Sequence, residues 1–197
     1  MMVVMDQQEN KLDFIFNNNI KVKISIKSLK QEFNPCTPAY INDVCKGRCC
    51  ERSSGLMVTI HKTEIDKYKK FGIKIKDNFI VSDNNKCPFK INNLCSIHND
   101  KPFGCKASPF TLSKNDVLIV RNRYRLLKCY RNKTEKSKPV YIVHRWSLEQ
   151  IFGKNEVDKL IKYIESGKQN IYLSLSKEKY DMLKDNDKYK RIKNDRF

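Results

Sequence analysis

The sequence predicts an α+β fold: one small domain of short strands and C-terminal helices, with irregular loops that carry the cysteines. Three observations lead there. Apolar and polar residues alternate near the N-terminus, an apolar stripe of helical period lies near the C-terminus, and the cysteines between them sit among prolines and glycines. With 197 residues and 40% hydrophobic content the chain can bury a core without disulfide staples. The domain is expected to span 1–176, leaving the Lys- and Asp-rich 177–197 as a charged helix or tail.

Leu12 to Phe16 and Ile20 to Ile26 alternate around the polar tract Asn17-Asn18-Asn19, which reads as a β-hairpin. Asn34-Pro35-Cys36-Thr37-Pro38 then opens a loop, because each proline restricts itself and the residue before it. Thr63 to Phe71 reads as a short helix with Thr63 as cap, Gly72 as stop, and Ile65 and Tyr68 facing inward. Ile73 to Ile75 and Phe79 to Val81 read as brief strands. Val117 to Tyr130 reads as a longer strand. Arg145 to Phe152 and Asn155 to Glu165 read as helices parted by Gly153, the second with Val157, Leu160, Ile161 and Ile164 as its core stripe and Asn155 as its cap.

Nothing before Asp6 resembles a signal-peptide core, and no stretch is long enough to span a bilayer. A cytoplasmic protein without a membrane anchor is therefore expected. In that reducing setting eight cysteines point to metal ligation rather than to a disulfide framework. Seven of them cluster: Cys36, Cys45, Cys49 and Cys50 in a first loop, then Cys87, Cys95 and Cys105 in a second. Cys129 stands apart and is as well explained by burial as a small hydrophobe.

Thiolates suit zinc and iron-sulfur centres, and one tetrahedral ion needs four. Seven exceed that need, so either one centre uses a subset or two centres share the site. Zinc hairpins usually present cysteine pairs two residues apart, and this chain has none. On an extended backbone Cys49 and Cys50 point apart, so both reach one centre only through a sharp turn.

The block Cys45, Cys49-Cys50, Cys87-Pro88-Phe89, Cys95-Ser96-Ile97-His98, Lys101-Pro102, Cys105 and Pro109-Phe110 resembles the YkgJ-like cysteine-cluster family. The resemblance covers Cys36 to Phe110 and implies a zinc- or iron-chelating domain. Asn42 stands where the family places another cysteine, and Cys36 is the substitute at hand. His98 does not follow from the resemblance as a ligand, and His61 and His144 read as capping or surface residues. The likeness also extends to cysteine segments of flagellin lysine methylases, which raises a metal-dependent modifying enzyme of unknown substrate as one reading.

An anionic thiolate centre calls for cations. On a strand, Arg121, Arg123 and Arg125 would project from one face and contact such a cofactor. The same row, with the net charge of +18, admits nucleic acid as a partner, although Lys and Arg are spread along the whole chain. The expected function is thus an intracellular metal-binding protein with an iron-sulfur cluster in a redox or accessory role. A structural zinc protein that binds nucleic acid through its basic surface is the alternative. A protein or substrate partner is left unidentified.

Overall fold

The computed structural model describes residues 19–52 and 56–185. The chain is an α+β protein built on two apolar cores of unequal size. The larger core lies under a four-stranded mixed sheet. Strand Asn19–Ile24 pairs antiparallel with Tyr172–Ser176 and, at Lys23 and Ile24, parallel with Val117–Val120. Val117–Val120 pairs antiparallel with Phe110–Leu112. Alternation decides which face is buried: Val22, Ile24, Leu173 and Leu175 point inward while Lys21, Lys23, Tyr172 and Ser174 stay exposed. The first arm of the expected hairpin, Leu12 to Phe16, lies outside the described residues.

Helices Arg145–Phe152 and Lys154–Glu165 pack in the same core, burying Leu148, Ile151, Val157, Leu160 and Ile164. Ile161, expected on the stripe, packs against the core partly buried. The second helix starts one residue before Asn155, and Gly153 holds the cap position at φ +85°, a backbone setting that favours glycine. Helix Lys177–Asp185 adds Leu183 to this core.

The smaller core contains Met57, Val58, Ile60, Tyr68, Ile80 and Phe89. Its sheet runs in the order Leu56–Thr59, Phe79–Val81, Ile75–Lys76, and the last two join through Asp77 and Asn78, both at positive φ as a tight hairpin requires. Helix Ile65–Lys69 closes it, with Tyr68 buried as expected and Ile65 packed at its edge. The cap is His61 rather than Thr63. Thr63 donates its N–H to His61 Nδ1, and Glu64 Oε2 accepts the His61 N–H at 3.3 Å, so one turn of 3-10 helix precedes the α-helix.

The expected strand Val117 to Tyr130 is corrected: it ends at Val120. Asn122–Leu126 is a 3-10 helix and Lys128–Arg131 a turn of α-helix. The N–H of Tyr124 bonds to the carbonyl of Arg121 and that of Leu127 to Tyr124, a period of three that alternating residue types do not reveal. Tyr124 is buried by this turn, and the arginine row on one strand face does not exist.

Candidate metal centre

A cavity of about 660 Å³ lies between the two cores, and all eight cysteines line it. Each arrives by an identifiable device. Ile41–Cys45 ends in Lys46 and Gly47, both left-handed, which reverses the chain into the 3-10 turn Arg48–Cys50. That is the sharp turn needed by Cys49 and Cys50, whose sulfurs are 3.9 Å apart. Cys50 to Arg52 then runs antiparallel to Asn85 to Cys87, with Cys87 N–H donating to the Cys50 carbonyl at 2.9 Å.

Cys95 is placed by a second hairpin. Lys90–Ile91 and Leu94–Cys95 pair across Asn92 and Asn93, again both at positive φ. Lys90, opposite Cys95 in the register, turns its ammonium back to the Lys46 carbonyl at 2.6 Å and to the Glu51 carboxylate. The Lys90 side chain is 7% exposed, so the lysine end of this clamp between the two cysteine loops is shielded from water. Cys105 sits on the short helix Phe103–Lys106, whose Phe103 N–H donates to Glu64 Oε1 at 2.9 Å.

Cys129 belongs to the same cavity, which the sequence reading did not foresee. Its helix packs against Ile41–Cys45, and its carbonyl accepts the Asn34 N–H at 2.8 Å, two residues before Cys36. Asn34 is buried and knots this region further. Its amide donates to Tyr40 and to the Asn132 carbonyl, and its oxygen accepts from Thr134 and Ser137.

Burial pushes the thiols of Cys36, Cys105 and Cys129 up to about 12. Cys36 and Cys49 keep open surface, but the walls around them still weigh on a thiolate. Cys49 goes the other way through its sulfur contact with Cys50 and the nearby Arg123 charge, while the same pairing raises Cys50. Burial, helped by Lys101, lowers His144 to about 4, so it is a neutral wall residue. His98 also lines the cavity, with its ring stacked on Trp146 at 6.0 Å and Lys101 over the other ring at 4.5 Å.

Of the three predicted arginines, Arg121 and Arg123 line the cavity and Arg125 is exposed away from it. Arg123 Nη2 donates to the Cys49 carbonyl at 3.1 Å and to the Tyr124 hydroxyl at 3.4 Å. Its Nε is buried without a hydrogen-bond partner among the described residues. Arg48, Arg52, Lys101 and Lys128 add further charge. They went unread because no regular element connects them in sequence.

Among the described residues no Asp or Glu lines the cavity. Sulfur donors, flanking cations and no carboxylates fit a soft, anionic thiolate centre and do not fit calcium or magnesium. The thiols ring the cavity rather than converge: among the described residues no three His, Cys, Asp or Glu side chains are grouped as they would be around one ion. No helix there is long and apolar enough to cross a membrane.

Comparison with known proteins agrees with that chemistry. The CxxCxxCC family, described as "Putative zinc- or iron-chelating domain", matches residues 40–138, half of the chain. The match runs past Phe110 to take in Cys129, and begins after Cys36. No curated protein and no solved structure matches.

Proposed function

The chain belongs to the CxxCxxCC family, and we propose that its cavity holds an iron-sulfur centre with a redox or accessory role. One observation carries the reading. Eight thiols and several fixed cations surround about 660 Å³ of space, more than one tetrahedral ion fills or ligates. Such a centre supplies one-electron transfer when bound. Cys36, Cys45, Cys49, Cys50, Cys87, Cys95 and Cys105 form the ligand pool, and Cys129 now joins it. Arg121 and Arg123 balance thiolate charge and tune its potential, the Arg123 Nε offering an uncommitted donor. Free thiols in this number also fit a reducing, cytoplasmic setting.

Zinc is the second reading, favoured by thiols numerous enough for complete tetrahedral sets. Nucleic acid as a partner now rests on exposed charges such as Arg125, because Arg121 and Arg123 face the cavity. The deciding experiment is anaerobic purification followed by iron, zinc and acid-labile sulfide analysis and a visible spectrum. Iron with sulfide, and absorption that bleaches on reduction, supports the proposal. Stoichiometric zinc without sulfide replaces iron-sulfur by zinc.

A further inference from the structure

Two of the eight cysteines touch. The sulfurs of Cys49 and Cys50 lie 3.9 Å apart, and among the described residues no other two thiols make such a contact. Nor, among those residues, does a third His, Cys, Asp or Glu side chain join them in a group that could hold an ion. Neighbours on an extended chain point to opposite sides, so the contact is the work of the turn. The Cys50 N–H donates to the Gly47 carbonyl at 3.0 Å and the Glu51 N–H to the Arg48 carbonyl at 3.2 Å, which closes the 3-10 turn Arg48–Cys50. Both carbonyls of the pair are held from outside it, that of Cys49 by Arg123 Nη2 at 3.1 Å and that of Cys50 by the Cys87 N–H at 2.9 Å. With the backbone fixed, rotation of the two side chains is what brings the sulfurs from 3.9 Å to the bonding distance of about 2.05 Å.

We propose that Cys49 and Cys50 form a dithiol-disulfide pair, closed by a hydroperoxide and reopened by a thiol reductant. This goes beyond the metal reading and does not rest on it, because it concerns the metal-free chain. Cys49 is exposed, Cys50 is half-buried, and both line the open cavity together with Arg48 and Arg123. Reactive cysteines sit in such partly exposed, electropositive places. With hydrogen peroxide as oxidant, the Cys49 thiolate attacks one peroxide oxygen, the O–O bond breaks, and the departing hydroxide takes a proton and leaves as water. Cys49 is then a sulfenic acid. The Cys50 sulfur attacks the Cys49 sulfur, the S–O bond breaks, and hydroxide leaves with the Cys50 proton as a second water. Two thiols have lost two electrons and two protons, and one peroxide has become two waters.

Adjacency also decides how lasting the bond is. Consecutive Cα atoms are about 3.8 Å apart, closer than the roughly 4.4 Å at the lower end for disulfides. The held carbonyls leave the backbone little room to relieve that strain, and a strained disulfide is readily reduced. The pair is thus a labile modification site rather than a structural staple. While closed, it takes two thiols out of the ligand pool.

The test is a peptide map of the unaltered chain. Metal-free, fully reduced full-length protein receives one equivalent of hydrogen peroxide, the remaining thiols are alkylated, and trypsin is added. Cleavage after Arg48 and Arg52 releases Cys49-Cys50-Glu51-Arg52, a peptide with both sulfurs and no other cysteine. It is expected unalkylated and lighter by two hydrogens than its reduced form, ahead of any change at Cys36, Cys45, Cys87, Cys95, Cys105 or Cys129. Excess reduced glutathione, added before alkylation, should restore both thiols. In Cys50→Ser the same dose should leave Cys49 as a sulfenic acid that dimedone labels. A doubly alkylated peptide while other cysteines are consumed overturns the proposal, as does either sulfur bonded to a different peptide. A closed pair that glutathione leaves intact overturns its lability. Iron, zinc and sulfide analysis of the native protein bears on the metal and this map on the dithiol, so each reading can fail while the other stands.

Discussion

Gly47 approaches Asn93 so closely that a Cβ on it would lie 2.4 Å from the Asn93 carbonyl oxygen. The obstacle is backbone, so the first cysteine loop can rest against the Asn92-Asn93 hairpin only with glycine there. Gly47 also sits at φ +60°, where a side chain costs about 1 kcal/mol before any clash. Gly47→Ala should therefore cost more than about 2 kcal/mol in urea unfolding and lower the retained metal. Gly72→Ala is the control, with a similar φ of +66° and nothing within 4 Å of the added carbon. Equal losses in the two variants would show that the loop contact contributes nothing.

The Lys90 clamp makes a second test. Its ammonium is nearly enclosed and meets both the Lys46 carbonyl and Glu51, whose side chain is 33% exposed. Removing one partner of such a pair strands the other, at a cost of about 3 kcal/mol, less what water can recover at Glu51. Lys90→Met should be costly and Lys90→Met with Glu51→Leu less so. Chemical denaturation of the four chains of that cycle measures the coupling, and simple additivity would remove the clamp from the account.

Period-3.6 patterning located Lys154–Glu165, because Val157, Leu160 and Ile164 report their burial locally. The strand Tyr172–Ser176 alternates as clearly but was not read, and its pairing with Asn19–Ile24 joins distant parts of the chain. Seven cysteines were recognised by their clustering on proline-marked loops. Cys129 was set aside because a lone cysteine is usually packing, and only tertiary contact with Ile41–Cys45 brings it in. Arg121, Arg123 and Arg125 misled because spacing at every second position is the period of a strand, whereas the 3-10 turn that forms here repeats every three residues.

The division of that arginine row is testable. Arg123 contacts the Cys49 carbonyl and carries a buried, unengaged Nε, whereas Arg125 is exposed. Arg123→Gln should hasten metal loss to a chelator and, with a redox-active centre, shift its potential to lower values, because the thiolate charge loses a counter-ion. Arg125→Gln should leave both unchanged. An Arg125→Gln chain that loses metal as fast as Arg123→Gln would contradict the inward assignment of Arg123.

His144 gives a pH dependence of defined sign. Its ring lies edge-on to Phe33 at 5.9 Å between centroids, and burial with the nearby Lys101 charge lowers it from 6.5 to about 4. The neutral ring is favoured in the fold, so the unfolded chain binds the proton first as pH drops. Its contribution is complete above 6.5, declines between 6.5 and about 4, and is lost below that. The difference amounts to about 3 kcal/mol. Measured on reduced, metal-free chain so that thiolate protonation by ligand release does not intervene, unfolding free energies at pH 7 and pH 4 should differ by about that much more for the unaltered protein than for His144→Leu. Parallel declines in the two chains would mean that His144 gains its proton in the folded state as easily as in water, and that the wall of the cavity there is wet.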